Sequence, residues 1–323
     1  WRHDVSLAGK RVAVVGTGAS AIQVIPSIAE EVGHLTVFQR SAPYVLKKPD
    51  APYSPDLHRR YRTMPLLRSA ARLAMWSYLE LVTVGFDKLP SALGILKRYH
   101  ESILRSEVAD PNLRDALRPD FQIGCKRILM SDDYYPALTR PDVTLVTDQI
   151  EEVTDCGVRT QAGHHDVDVI VFATGYETTP FMPGLTIRGT EGVELCDVWG
   201  DREGAYLGLS VPGFPNMFMV YGPNTNLGSG SIVYMLEAQA DHIVNAVGVL
   251  SRSGHRALEV TDRAYRTFLQ DVDNAQKRTV WSGCRTWYHD RSGRDTHNWP
   301  WMMSTYRRRT RRVDIGDYTL IPL

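Results

Sequence analysis

The residues Gly16, Thr17, Gly18, Ala19, Ser20 and Ala21 follow the apolar run Val12-Ala13-Val14-Val15 and open a helical pattern. This G-x-G-x-x-A spacing is suited to holding phosphates. Gly16 permits a sharp bend, and Gly18 keeps a Cβ from standing between the backbone and a pyrophosphate. A helix over about 19–31 turns its free N–H groups and positive dipole end to the same place. Ala21, in the third small position, lets helix and strand lie close. The second strand of such a unit normally ends in a carboxylate that accepts from a ribose 2′-hydroxyl. Here Leu35-Thr36-Val37-Phe38-Gln39 ends in Arg40 and Ser41. A guanidinium beside a hydroxyl suits a 2′-phosphate, so the expected dinucleotide is NADPH.

These residues need a scaffold, and composition bounds it. At 323 residues the chain has room for about two domains. A hydrophobic share of 43% supports a real core, and a net charge of zero argues against a nucleic-acid binder. Cys125, Cys156, Cys196 and Cys284 are far apart and read as reduced thiols of a cytoplasmic protein, with no metal site. His289 and His297 lack ligand spacing and read as structural. The apolar stretch from Met64 to Phe86 is interrupted by Arg68, Arg72 and Glu80, so it reads as a packed helical insertion and not a transmembrane segment. The chain begins at Trp1 with no initiator Met and no signal-like segment.

Residues 10–40 read as β-α-β. A proline-punctuated connection follows, then a helical pattern from about Asp56 to Asp110, broken near Gly85 to Pro90. Phe121-Gln122-Ile123 reads as a short return strand before the turn Gly124-Cys125-Lys126-Arg127. Ser131 reads as part of a helix cap ahead of Tyr134–Leu138, and Val143–Val146 as a strand. A hairpin is expected around Asp155-Cys156-Gly157, and a buried strand over Asp168–Phe172 that ends in Ala173-Thr174-Gly175. From Ser231 to Val247 the apolar residues Ile232, Val233, Met235, Leu236, Ala240, Ile243, Val244 and Val247 recur at helical spacing. Thr261–Gln276 reads as another helix. A tail follows with Trp281, Trp287, Trp299 and Trp301, and its arginine run at 307–312 reads as solvated.

The segments GKRVAVVGTGASAIQ, VFQRSAPYV, GCKRIL, DVIVFATGYETTPF, GFPNMFMVYGPNTNLG and GSIVYMLEAQADHIV resemble the class B flavoprotein monooxygenases. The likeness is greatest to Baeyer–Villiger monooxygenases of the acetophenone/phenylacetone type. The resemblance implies an α/β fold: a Rossmann-type NADPH-binding domain with a helical insertion, plus the C-terminal half of a Rossmann-like FAD-binding domain. The implied boundaries are 1–42 and 121–175 for the NADPH-binding domain, 43–120 for the insertion and 176–323 for the FAD part. The implied cofactors are FAD and NADPH, and the implied substrates a small-molecule ketone and O2. An oxygen atom would enter next to the carbonyl through a C4a-peroxyflavin. The family carries an FAD-binding G-x-G-x-x-G upstream and a signature F-x-G-x-x-x-H-x-x-x-W whose last residue would coincide with Trp1. The chain therefore reads as a C-terminal fragment.

Position by position, Arg127 matches the arginine beside the flavin that stabilises the peroxyflavin anion. Such a charge depends on a fixed cation in a site that excludes water. Lys126 matches a residue near the 2′-phosphate and would form a cationic clamp with Arg40, beside Ser41. Gly16, Thr17, Gly18, Ala19, Ser20 and Gln23 match the dinucleotide turn. Thr174 and Gly175 match the A-T-G segment. Asn224, Thr225 and Ile232 match the region that meets the flavin ring, and Trp287 matches a tryptophan of a loop that closes over NADP. Ser229 stands where many relatives have His. Three other functions fit parts of this pattern: N- or S-oxygenation, an NADPH:disulfide-type flavin reductase, which needs a redox cysteine pair, and an NADP-binding remnant without catalysis.

Overall fold

Apolar periodicity and helix caps produce, in chain order, β1 (Arg11–Val15), α1 (Ala21–Ile28), β2 (His34–Phe38), β3 (Val45–Leu46), α2 (Pro55–Thr63), α3 (Pro65–Asp87), α4 (Gly94–Glu107), α5 (Pro111–Ala116), β4 (Leu129–Met130), α6 (Tyr134–Leu138), β5 (Val143–Val146), β6 (Ile150–Thr154), β7 (Gly157–Thr160), β8 (Gly163–Asp166), β9 (Val169–Phe172), α7 (Leu195–Trp199), α8 (Ile232–Ser253), β10 (His255–Val260), α9 (Asp262–Gln276), α10 (Met303–Thr310) and β11 (Tyr318–Pro322). This computed structural model describes residues 1–179 and 181–323; Pro180, within one of the family-like segments, lies outside the described residues. The chain forms two units, one of Trp1–Pro52 with Gly94–Tyr176 and one of Tyr53–Leu93 with Glu177–Leu323. The segment 43–120 is thus shared between them.

In the first unit, β1 buries Val12, Ala13 and Val14 at the centre of a parallel sheet in the order β5-β2-β1-β9. Val12 faces Leu35 on one side and Val169 on the other. All four strands run the same way, so their C-terminal ends share one edge, where α/β folds bind ligands. α1 crosses from β1 to β2 and buries Ala21, Ile22, Ile25 and Ile28 against it. At the opposite edge, Arg11 donates to Asp168 through its backbone N–H and its guanidinium, both at 2.8 Å. This pair ties the start of β1 to the start of β9.

Several expectations change here. β9 is an edge strand, so Phe172 is 66% exposed, although the run was expected to be buried. Phe121–Ile123 forms no strand; a single Ile123–Lys126 bridge closes the Gly124-Cys125 turn, and the pairing strand is β4, parallel to β3. The hairpin at Asp155-Cys156-Gly157 is present, and β8 extends it to a three-stranded antiparallel sheet. β8 reads Gly-His-His-Asp and has no apolar alternation to reveal it. The N-cap of α6 is Asp133, whose side chain makes no capping bond; Ser131 Oγ, two residues earlier, accepts from Asp133 and Tyr134 N–H.

In the second unit α8 is capped by Ser231 and ends at Gly254, whose φ is +69°. Its buried face is Met235, Ala238, Gln239, His242 and Ala246, while Val233, Val244 and Val247 of the expected apolar stripe are exposed. Polar partners decide this orientation. Gln239 donates to Tyr306 Oη at 2.9 Å and accepts from Tyr221 N–H at 3.0 Å. His242 lies 2.9 Å from the Thr310 carbonyl and 3.1 Å from Tyr318 Oη. The arginine run is no free tail. Arg307–Arg309 belong to α10, with Arg307 paired to Asp241 at 3.2 Å and Arg309 over the Trp301 ring at 4.5 Å, and the chain continues to β11 beside β10. Glu80 of α3 is buried and accepts from Met303 and Ser304 N–H at 3.1 and 3.0 Å, capping α10 from a distance. Among the described residues no helix is long and apolar enough to cross a membrane. Cys156 and Cys196 are free and exposed. Cys125 and Cys284 are not free thiols, which corrects the reading of four reduced cysteines; spacing along a chain does not fix bonds made through the fold.

Candidate functional site

The glycine turn leaves β1 at the C-terminal edge of the first unit's sheet. Gly16 has φ +110°, and a Cβ there would collide with the Ala173 carbonyl that follows β9. Its N–H donates to the Phe38 carbonyl at 3.0 Å, which fastens the turn to the end of β2. Gly18 is different. A Cβ built there meets nothing within 4 Å, so the protein's own packing does not require glycine at this place. The space lies open at the start of α1. The first turn begins with Ile22 N–H on the Gly18 carbonyl, followed by Gln23 and Val24 N–H on Ser20. The N–H groups of Gly18, Ala19 and Ser20 precede that ladder and are the natural donors to an anion. Gln23 turns its side-chain amide back to the Ala19 carbonyl at 2.8 Å.

Lys126 lies beside this turn. Thr17 Oγ1 donates to the Ser41 carbonyl at 3.0 Å, holding the segment after β2 against the turn. Half-buried Lys126 places Nζ 3.4 Å from Ser41 Oγ and 4.3 Å from the centre of the Phe121 ring. Arg40 is exposed at the strand end. Arg127 is also exposed and follows Lys126 directly. Neither arginine is paired with a carboxylate among the described residues. Thr174 and Gly175 (φ +93°) continue the chain from β9 beside Gly16. The structure therefore brings together Gly16, Thr17, Gly18, Ala19, Ser20, Ser41, Lys126 and Thr174 at one edge. An open glycine, free helix-start donors and Lys126 beside Ser41 fit a dinucleotide with a 2′-phosphate.

Asn224, Thr225, Ile232 and Trp287 belong to the second unit. Asn224 is buried at φ +58° and donates through Nδ2 to the Asp295 carbonyl at 2.9 Å. Thr225 Oγ1 donates to the Gly222 carbonyl at 2.7 Å. Both side chains are committed within their unit, so what they can offer a cofactor is backbone. Ile232 is the first residue of α8. Trp287 is partly exposed, with its ring 4.3 Å from Tyr288 and 5.2 Å from His297. Sequence reasoning missed the lattice that braces this loop. Asn226 Nδ2 donates to Asn298 Oδ1 at 2.7 Å, and buried Asp295 accepts from the N–H groups of His297 and Asn298 and from Asn298 Nδ2. The signal was the pair of polar clusters, Asn224-Thr225-Asn226 and Asp295-Thr296-His297-Asn298.

No protein-family profile matches the chain. It is 39% identical over 324 residues to a Baeyer-Villiger monooxygenase of Pseudomonas aeruginosa, covering 99% of this chain and 62% of that protein. A Baeyer-Villiger monooxygenase of Streptomyces coelicolor is 39% identical over 325 residues, with 99% and 63% covered. Among solved structures, oxidized steroid monooxygenase bound to NADP superposes with a TM-score of 0.84 at 26% identity, over 100% of this chain and 69% of that one. OTEMO in complex with FAD and NADP gives 0.83 at 26% identity, over 98% and 67%. Cyclohexanone monooxygenase from Rhodococcus sp. Phi1 bound to NADP+ gives 0.83 at 25% identity, over 100% and 69%. The chain spans less than two thirds of the length of these two curated relatives.

Proposed function

We propose that this chain, which belongs to the Baeyer–Villiger monooxygenases, forms the NADPH-binding and C-terminal part of an enzyme that uses FAD, NADPH and O2 to insert one oxygen atom next to a ketone carbonyl. The product is an ester or lactone. The observation that supports this reading is Lys126 Nζ 3.4 Å from Ser41 Oγ, with exposed Arg40 next to Ser41 in the chain, beside the open glycine turn.

When bound, NADPH supplies a hydride and FAD supplies the centre that activates O2. The chain's own residues bind and position. Gly16, Thr17, Gly18, Ala19, Ser20 and Gln23 form the turn that seats the pyrophosphate, with the α1 N–H groups as donors. Arg40, Ser41 and Lys126 hold the 2′-phosphate, and Thr17 keeps Ser41 in place through its carbonyl. Thr174 and Gly175 flank the turn. Arg127, which is exposed, would supply positive charge for negative charge that develops on oxygen; such a cation acts best where water is excluded. Asn224 and Thr225, with Ile232 at the start of the next helix, would offer backbone groups to FAD, and Trp287 would contribute its ring to binding the nicotinamide dinucleotide. Residues 1–42 and 121–175 are assigned to NADPH binding, 43–120 to the insertion and 176–323 to the FAD part. The substrate class is a small-molecule ketone, and the compartment is the cytoplasm.

The test uses the full-length protein with FAD. Product formed per NADPH consumed is measured with a ketone, alongside anaerobic flavin reduction. Ester or lactone is expected from the parent enzyme. Arg127→Ala is expected to keep hydride transfer and NADPH consumption while making little product, the difference leaving as H2O2. Oxygenation of amines or sulfides without ester formation would contradict the proposed reaction, and unchanged coupling in Arg127→Ala would remove that residue's role.

A further inference from the structure

The three-stranded sheet β6-β7-β8 carries a second group of reactive side chains, at the edge of the first unit opposite the glycine turn. Cys156 sits in the turn between β6 and β7, with a free and exposed thiol. His164 on β8 faces it, with Nε2 3.8 Å from Sγ. The other ring nitrogen, Nδ1, lies 3.1 Å from Asp166 Oδ1. Asp166 is itself anchored, because its second oxygen takes the Arg11 guanidinium at 3.0 Å. Gly157 clears the space: a Cβ there would strike the His164 ring and the His165 carbonyl.

The hydrogen bonds set the direction of proton flow. A carboxylate only accepts, so Nδ1 carries a proton and Nε2 is turned toward the thiol. A proton arriving on Nε2 finds Thr154 Oγ1 at 2.9 Å as its acceptor, while Thr154's own hydroxyl proton is taken by the Gly157 carbonyl at 3.2 Å. Nucleophile, base and orienting group thus stand in sequence. A ligand atom from each of the three also lies within 4.8 Å of the others, so Zn2+ is the competing occupant that the test separates.

We propose that Cys156, His164 and Asp166 form a thiol-exchange site that takes small-molecule disulfides and records them as a mixed disulfide on Cys156. The Cys156 proton passes to His164 Nε2. The thiolate attacks one sulfur of the disulfide, that S–S bond breaks, a new S–S bond forms to the protein, and the released thiolate leaves with the proton from Nε2. No outside oxidant is consumed beyond the disulfide. The proposal stands independently of the monooxygenase reading.

The chain holds its own reference. Cys196 is the other free, exposed thiol among the described residues, and its Sγ lies 3.7 and 3.9 Å from the Glu194 and Asp197 carboxylates, with no imidazole among its described partners. The protein is exposed to dithiodipyridine, quenched at intervals, and the adduct on each cysteine is counted by peptide mass spectrometry. Cys156 is expected to react at least roughly tenfold faster than Cys196. His164→Gln is expected to bring Cys156 down to the Cys196 rate while Cys196 stays unchanged, which controls for folding. As a positioning residue, Asp166 is tested by Asp166→Ala, expected to slow Cys156, and Asp166→Glu, expected to restore it. Equal rates at the two cysteines in the parent chain, or an unchanged Cys156 rate in His164→Gln, would overturn the proposal. Stoichiometric Zn2+ that blocks Cys156 from reaction would overturn it in favour of a metal site.

Discussion

At the scale of single residues, burial and not proximity in sequence decides what a polar group does. His100 is fully buried in the first unit, with Nε2 2.8 Å from Tyr135 Oη and Nδ1 without a partner. Burial holds its pKa down from 6.5 to about 4. The unfolded chain therefore binds the proton first as pH falls, and the neutral form's contribution is lost between 6.5 and about 4. Urea unfolding across that window is expected to show stability declining as the solution is acidified. His100→Gln, which cannot titrate, is expected to flatten that decline; an unchanged slope would place its cause elsewhere. Asn224 and Thr225 teach the same lesson at the candidate site. Their residue types were legible as polar and turn-forming, and the Thr225 bond to Gly222 is local, but the commitment of Asn224 to Asp295 depends on loops brought together by the fold.

At the scale of elements, the two glycines of the turn separate folding from binding. Gly16 is strained for any side chain and would meet the Ala173 carbonyl, so Gly16→Ala is expected to lower stability by about 1–3 kcal/mol. Gly18 has open space, so Gly18→Ala is expected to leave the melting temperature within a few degrees while weakening NADPH binding. Thermal melts beside NADPH titrations check both; equal losses of stability would contradict the distinction. This β1-turn-α1-β2 unit was legible because Val12-Ala13-Val14 and the G-x-G spacing report local geometry. β8 was not, since Gly-His-His-Asp carries no periodic signal and is made a strand by pairing with β7. The buried face of α8 was misread for a related reason. Gln239 and His242 go inside because Tyr306, Thr310 and Tyr318 satisfy them, and Val244 stays outside. An apolar count on one helix cannot see the polar partners on another.

At the scale of the whole molecule, the chain carries one G-x-G-x-x-A turn in 323 residues and spans 62% of its Pseudomonas aeruginosa relative. It is expected to bind NADPH when purified; no saturable binding up to millimolar NADPH would contradict that. The central claim is narrower and can be tested on the chain as it stands: the edge made by Gly18, Arg40, Ser41 and Lys126 selects a dinucleotide with a 2′-phosphate. The direct measurement is calorimetric titration of the chain with NADPH and with NADH, repeated for Arg40→Ala. Each charge-assisted contact to the phosphate is worth about 1.5–3 kcal/mol, so NADPH is expected to bind at least about tenfold more tightly than NADH, and Arg40→Ala to lose most of that margin while NADH is little changed. Equal affinity for the two dinucleotides, or equal losses with both in Arg40→Ala, would contradict the account.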